Sequence, residues 1–170
     1  PFDPRAVVHV LANRGVRLAT IGYLGHMWEL YAMWAWMPAF AAASLAAVRG
    51  AHRAADHSLV AFVAIASGAV GCVMAGRSAD AWGKARIAGG AMLASAACAL
   101  VSPWFYGAPL ALLLVLAIVW GFTVVADSAQ FSALVTEHTA RTHVGTALTL
   151  QTSAGFLLTM VSMRLVPPIA

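Results

Sequence analysis

The chain has 170 residues, 62% hydrophobic and only 9% charged, with a mean hydropathy of +0.83. A soluble domain carries about a quarter of its residues charged, so this composition excludes one, because too few polar side chains exist to cover its surface. The net charge of +4 rests on ten Lys and Arg scattered between apolar runs, which excludes the clustered basic face of a nucleic-acid binder and makes them markers of membrane topology.

A spanning helix needs about 20 apolar residues, and the length holds five. No apolar run alternates with the period of a barrel strand, so the expected fold class is an all-α, polytopic transmembrane helix bundle. Residues 1–17, with Asp3, Arg5, Arg14 and Arg17, read as a polar cytoplasmic approach segment. The first span, 18–47, is rich in aromatics and contains Pro38, which removes a backbone bond and favours a kink. A loop over 48–57 carries Arg49, Arg53 and Asp56, and the second span covers 58–75. A charged loop is expected from Gly76 to Arg86, then a third span over 87–105 and a short bend at Tyr106, Gly107 and Pro109. The fourth span, 110–135, turns polar from Asp127 onward. After a loop with Glu137, His138, Arg141 and His143, the fifth span, 144–163, is stopped by Arg164 and the Pro167, Pro168 pair.

Counting Lys and Arg on each side sets the orientation. With the N-terminus inside, Arg5, Arg14, Arg17, Arg77, Lys84, Arg86 and Arg141 are cytoplasmic, and Arg49, Arg53 and Arg164 are outside. Trp104, Phe105 and Tyr106 then form an outer aromatic belt, and Trp82 sits near the inner interface. Small residues fall on one stripe of the second span (Ala64, Ser67, Gly68, Gly71, Cys72 and Ala75) and of the third (Gly90, Ala94, Ala97 and Cys98). Such stripes let membrane helices approach closely, and Cys72 and Cys98 are read as packing residues within them.

The sharpest anomaly is His26 and Glu29 inside an apolar run, at i and i+3 on one helix face. A charge at the bilayer centre costs about 2.5 to 3.5 kcal/mol on insertion scales, so Glu29 must face protein, a partner or a water-filled cavity. Away from water a carboxylate favours its protonated form, so the functional reading of these residues is substrate contact or proton coupling. Asp127 is a second buried acid, with Gln130 nearby. Glu29 and Asp127 lie roughly 16 and 12 Å from the inner ends of their helices at 1.5 Å per residue, which places both acids and His26 in one central cavity. The aromatic group Tyr23, Trp28, Tyr31, Trp34 and Trp36 surrounds them, with Tyr31 and Trp34 taken as substrate contacts. The competing reading is a hydrogen-bonded cluster that only pins helices together, with Gln151 and Ser153 as further interhelical bonds. His26 and Glu29 are two ligands, too few for a metal site, and no cofactor is implied.

The run from Gly76 to Arg86, Gly-Arg-Ser-Ala-Asp-Ala-Trp-Gly-Lys-Ala-Arg, resembles the loop signature of the major facilitator superfamily, Gly-x-Leu-Ala-Asp-Arg-x-Gly-Arg-Arg/Lys. Gly76, Ala79, Asp80, Gly83 and Lys84 match in place, whereas Ser78 stands for the usual Leu and Ala81 for the usual Arg. The first span, Gly-Tyr-Leu-Gly-His-Met-Trp-Glu-Leu-Tyr-Ala-Met-Trp, resembles the seventh helix of a group of bacterial transporters in that superfamily. The resemblance implies helices seven to eleven of a twelve-helix secondary transporter in the bacterial inner membrane, whose partner is the N-terminal half of the same protein. It also implies alternating access around a midplane site, with Glu29, His26 and Asp127 in substrate or proton coupling. Gly76, Asp80, Gly83, Lys84 and Arg86 would then form a conformational gate. The charge of the small solute stays open, and two other classes stand beside a transporter: a membrane-embedded enzyme and a non-transporting membrane subunit.

Overall fold

The computed structural model describes residues 4–48 and 54–165. The connection bearing Arg49 and Arg53, the Pro167, Pro168 stop, Asp3 and the side chain of Arg5 lie outside the described residues. Within them every regular element is helical: α1 (Pro4–Ala12), α2 (Arg14–Ala47), α3 (Ala54–Trp82), α4 (Lys84–Val101), α5 (Leu110–Ala126), α6 (Ser128–His138) and α7 (Val144–Leu165), with short 3-10 turns at Ser102–Phe105 and Arg141–His143. Five helical stretches are long and apolar enough to cross a bilayer, with α5 and α6 together making one of them. The chain is a multi-pass membrane protein.

The first segment is more ordered than a polar approach. It folds into α1, and Asn13 separates α1 from α2, its side chain accepting from Gly15 N at 2.8 Å and Val16 N at 3.3 Å. That N-cap satisfies two of the donors that a helix start leaves unpaired. Arg17 Nη1 donates to the carbonyls of Leu11 and Ala12, covering the end of α1. At 34 residues α2 is about 50 Å long, more than the roughly 30 Å hydrocarbon core, so its ends reach the interfaces, and the helix runs unbroken through Pro38.

The expected loop from Gly76 to Arg86 is corrected to near-continuous helix. α3 runs to Trp82, α4 starts at Lys84, and only Gly83 lies outside a helix. The stretch before Gly83 contains no strong breaker, so the charged residues extend α3 past the apolar span. Gly83 itself has φ of 91°, a left-handed conformation open to glycine at little steric cost, and there the chain reverses.

Packing explains which small residues matter. The stripe on α3 meets α5 so closely that a Cβ on Gly71 would fall inside contact distance of the Phe122 carbonyl, and one on Gly121 would do the same at Ala64. Without a hydrophobic drive between helices in lipid, such close approach is what associates them. The α4 stripe behaves differently: Gly90, Ala94 and Ala97 are exposed, and only Cys98 turns inward, alongside Ala88 and Ser95. Those inward positions define the packed face of α4, and Gly90 and Ala94 lie along a groove walled by α3, α4 and α5. Trp82 and Trp104 are 71% and 79% exposed, the placement expected of interfacial rings.

Candidate functional site

The fourth span is not one helix. It breaks at Asp127, where α5 ends and α6 begins, and the Gln130 N–H bonds the Asp127 carbonyl at 3.0 Å across the turn. The Cys72 thiol donates to the Val125 carbonyl just before the break, at 3.4 Å. Asp127 and His26 are each 2% exposed, with Oδ1 and Nδ1 2.7 Å apart. The contact is close but not aligned as a hydrogen bond, and His26 Nε2 is buried with no partner. The rings of Tyr23 and Phe131 flank the imidazole at centroid distances of 6.0 and 6.4 Å. This is a buried, close-packed acid–imidazole contact that joins α2 to the broken span.

Glu29 has a different setting. Its Oε1 accepts hydrogen bonds from Ser95 Oγ on α4 and from Trp120 Nε1 on α5, the latter at 3.0 Å. It lines a cavity of about 410 Å³ whose other walls are Trp28, Met33, Trp36, Met37 and Phe40 of α2 together with Ala99, Ser102 and Trp120. From Glu29 to Phe40 these positions follow one face of α2 over about 16 Å. Facing them, Ser95, Ala99 and Ser102 lie at i, i+4 and i+7 from the end of α4 into the following 3-10 turn. Gly25 of α2 approaches the Met92 side chain of α4, and Trp120 of α5 is among the lining residues of the cavity.

The expectation of one shared cavity for His26, Glu29 and Asp127 is therefore corrected to two sites. Three residues advance a helix by 300°, leaving the two α2 side chains about 60° apart in azimuth and a turn apart in height. That offset suffices to send His26 to the α5–α6 break and Glu29 to α4. Tyr31 packs against Trp34 with the rings tilted and meets Phe156 of α7 edge-on, both at centroid distances of 5.8 Å, and neither Tyr31 nor Trp34 lines the cavity. Gln130 is buried one turn into α6, also away from it. Gln151 is buried with neither side-chain atom hydrogen-bonded.

Sequence reasoning missed Ser95 and Trp120, the partners of Glu29. A polar residue and a tryptophan within otherwise apolar runs were the available signal, but only the fold shows that they converge.

At the other end of the bundle, Gly83, Lys84, Asp80 and Arg86 border a depression of about 540 Å³. Its ion pair is Lys84 Nζ to Glu137 Oε1 at 2.6 Å, tying the start of α4 to the end of α6, while Asp80, Arg77 and Arg86 are exposed. Gly76 sits within α3 with open space around it. Among the described residues, no group of three or more His, Cys, Asp or Glu side chains is placed to hold a metal ion. Comparison with known protein families, with curated proteins and with solved structures returns no match for this chain.

Proposed function

We propose that these five spans form helices seven to eleven of a major-facilitator-type secondary transporter of the bacterial inner membrane, with the N-terminus of α2 cytoplasmic. On this reading the protein moves a small solute by alternating access, and Glu29 couples that movement to protons. One observation carries it: a carboxylate deep in a spanning helix stands on the wall of an otherwise apolar, ligand-sized cavity, held by two side-chain donors from neighbouring spans. A purely structural acid is buried between helices and paired, as Asp127 is. The break at Asp127 adds support, because discontinuous spans accompany binding sites in transporters, and His26 with Asp127 then serves as the element that positions α2 against it. The Lys84–Glu137 pair and Gly83 fit the latch that the sequence resemblance implies, breaking and reforming as the inner side opens.

The test is proton-driven solute uptake by the full-length protein in proteoliposomes, wild type against Glu29→Gln. Glutamine keeps an acceptor for Ser95 and Trp120 but carries no exchangeable carboxyl proton. Loss of the response to an imposed pH gradient is expected, and unchanged coupled uptake would overturn the coupling role.

A further inference from the structure

The cavity at Glu29 carries information about what enters it. Among the described residues its walls hold no Lys, Arg or His, and Glu29 is the one ionisable group that lines it. The described Lys and Arg side chains stand instead toward the ends of the helices, at Arg14, Arg17, Arg77, Lys84, Arg86, Arg141 and Arg164. An anion here would meet a carboxylate with no compensating cation among the described lining residues, beside apolar walls where charges interact more strongly than in bulk water. A cation meets the opposite situation.

Both hydrogen bonds to Glu29 reach Oε1, and among the described residues Oε2 accepts none. Three indoles (Trp28, Trp36 and Trp120) and two thioethers (Met33 and Met37) provide polarisable surface around it. Indole is the best of the side-chain rings at attracting a cation to its face, and desolvation strengthens that attraction. A small, strongly hydrated ion would lose its water shell to walls that offer few oxygen ligands. A cation whose charge is spread beneath apolar groups surrenders little hydration and gains apolar contact.

We propose that the Glu29 cavity binds a hydrophobic organic monocation, which Glu29 neutralises and the surrounding tryptophans and methionines enclose. The assignment rests on the transport reading for its purpose, and names the class of solute that reading leaves open. The cavity volume of about 410 Å³ lies within the range of roughly 300 to 1,000 Å³ found for small-molecule pockets.

The experiment uses tetraphenylphosphonium and tetraphenylborate, nearly identical in size and shape and opposite in charge. Binding of each radiolabelled ion to the purified full-length protein is measured by equilibrium dialysis, with empty micelles subtracted. Saturable binding of the phosphonium is expected, with no saturable binding of the borate and no competition from it. Glu29→Gln should weaken phosphonium binding about tenfold or more. Trp120→Phe, which keeps a ring but removes a donor to Oε1, should weaken it less.

Borate binding as tight as phosphonium, or phosphonium affinity unchanged in a monodisperse Glu29→Gln protein, overturns the proposal. Should that variant aggregate, the comparison of the two ions on wild type decides alone. Flux in proteoliposomes separates the two readings. Glu29-dependent phosphonium binding without proton-driven flux of any solute upholds the cation site and overturns the transporter. Proton-driven uptake of other solutes by a protein that binds no phosphonium upholds the transporter and overturns the cation site.

Discussion

Glu29 and Asp127 are both acids within the spans, yet the structure treats them in opposite ways. Asp127 is 2% exposed and set 2.7 Å from a histidine that is equally enclosed. Glu29 is half-buried, hydrogen-bonded through one oxygen, and borders open volume. The contrast separates an acid that holds helices together from one that stays available to a visitor. Burial of an ion pair is costly and makes each partner dependent on the other, whereas a carboxylate held by neutral donors can lose its charge and keep its hydrogen bonds.

The largest effect that tests this contrast is removal of Asp127. Asp127→Ala should destabilise the folded protein by about 3–5 kcal/mol, since it leaves His26 buried without its partner. Thermal unfolding in detergent would reveal it, and a wild-type-like transition would show that the pair contributes nothing. The double variant His26→Leu, Asp127→Leu should recover most of that loss, because apolar replacement of a whole buried pair is often neutral. If it is as unstable as the single variant, the break itself requires the aspartate.

Glu29 gives a graded pair. Glu29→Leu should cost about 1–3 kcal/mol by stranding the Ser95 hydroxyl and the Trp120 N–H without an acceptor. Glu29→Gln should change stability by less than about 1 kcal/mol, because its amide oxygen still accepts from both. A glutamine variant as unstable as Asp127→Ala would erase the distinction between the two acids. The smallest effect belongs to the exposed Lys84–Glu137 pair, where Glu137→Gln should cost roughly 0–1 kcal/mol. A larger loss in the unfolding midpoint, insensitive to salt, would mark that pair as part of the folded framework.

Much of the fold was legible because the bilayer imposes simple rules. Five apolar runs each became a span that reaches beyond its predicted bounds at one end or both, the fourth as two helices broken at Asp127. The charged residues from Gly76 to Trp82 were read as loop because charge was equated with chain reversal, whereas a helix leaving the bilayer carries charge without cost. Only Gly83, with its positive φ, ends α3. The α3 stripe was read correctly as a packing face, while the similar α4 stripe was not, since small size permits close approach but does not choose a partner.

The site was legible by half. His26, Glu29 and Asp127 stood out because polar groups are expensive in apolar spans, a one-residue property that composition reveals. Their sorting into two sites was hidden, because it depends on a 60° offset along α2 and on where α4 and the α5–α6 break fall around it. Tyr31 and Trp34 were grouped with the site by sequence proximity, whereas Ser95 and Trp120, distant by 66 and 91 residues from Glu29, are the side chains that bind it.

The sequence by itself determined that this chain lives in a membrane, how many times it can cross, and which few polar residues must be protected from lipid. Those follow from transfer free energies, which each segment carries wherever it is placed. Tertiary structure decided which acid is sealed and which is left at a cavity. That choice depends on azimuth and on long-range convergence of α2, α4 and α5, and neither is encoded in the composition of any one span.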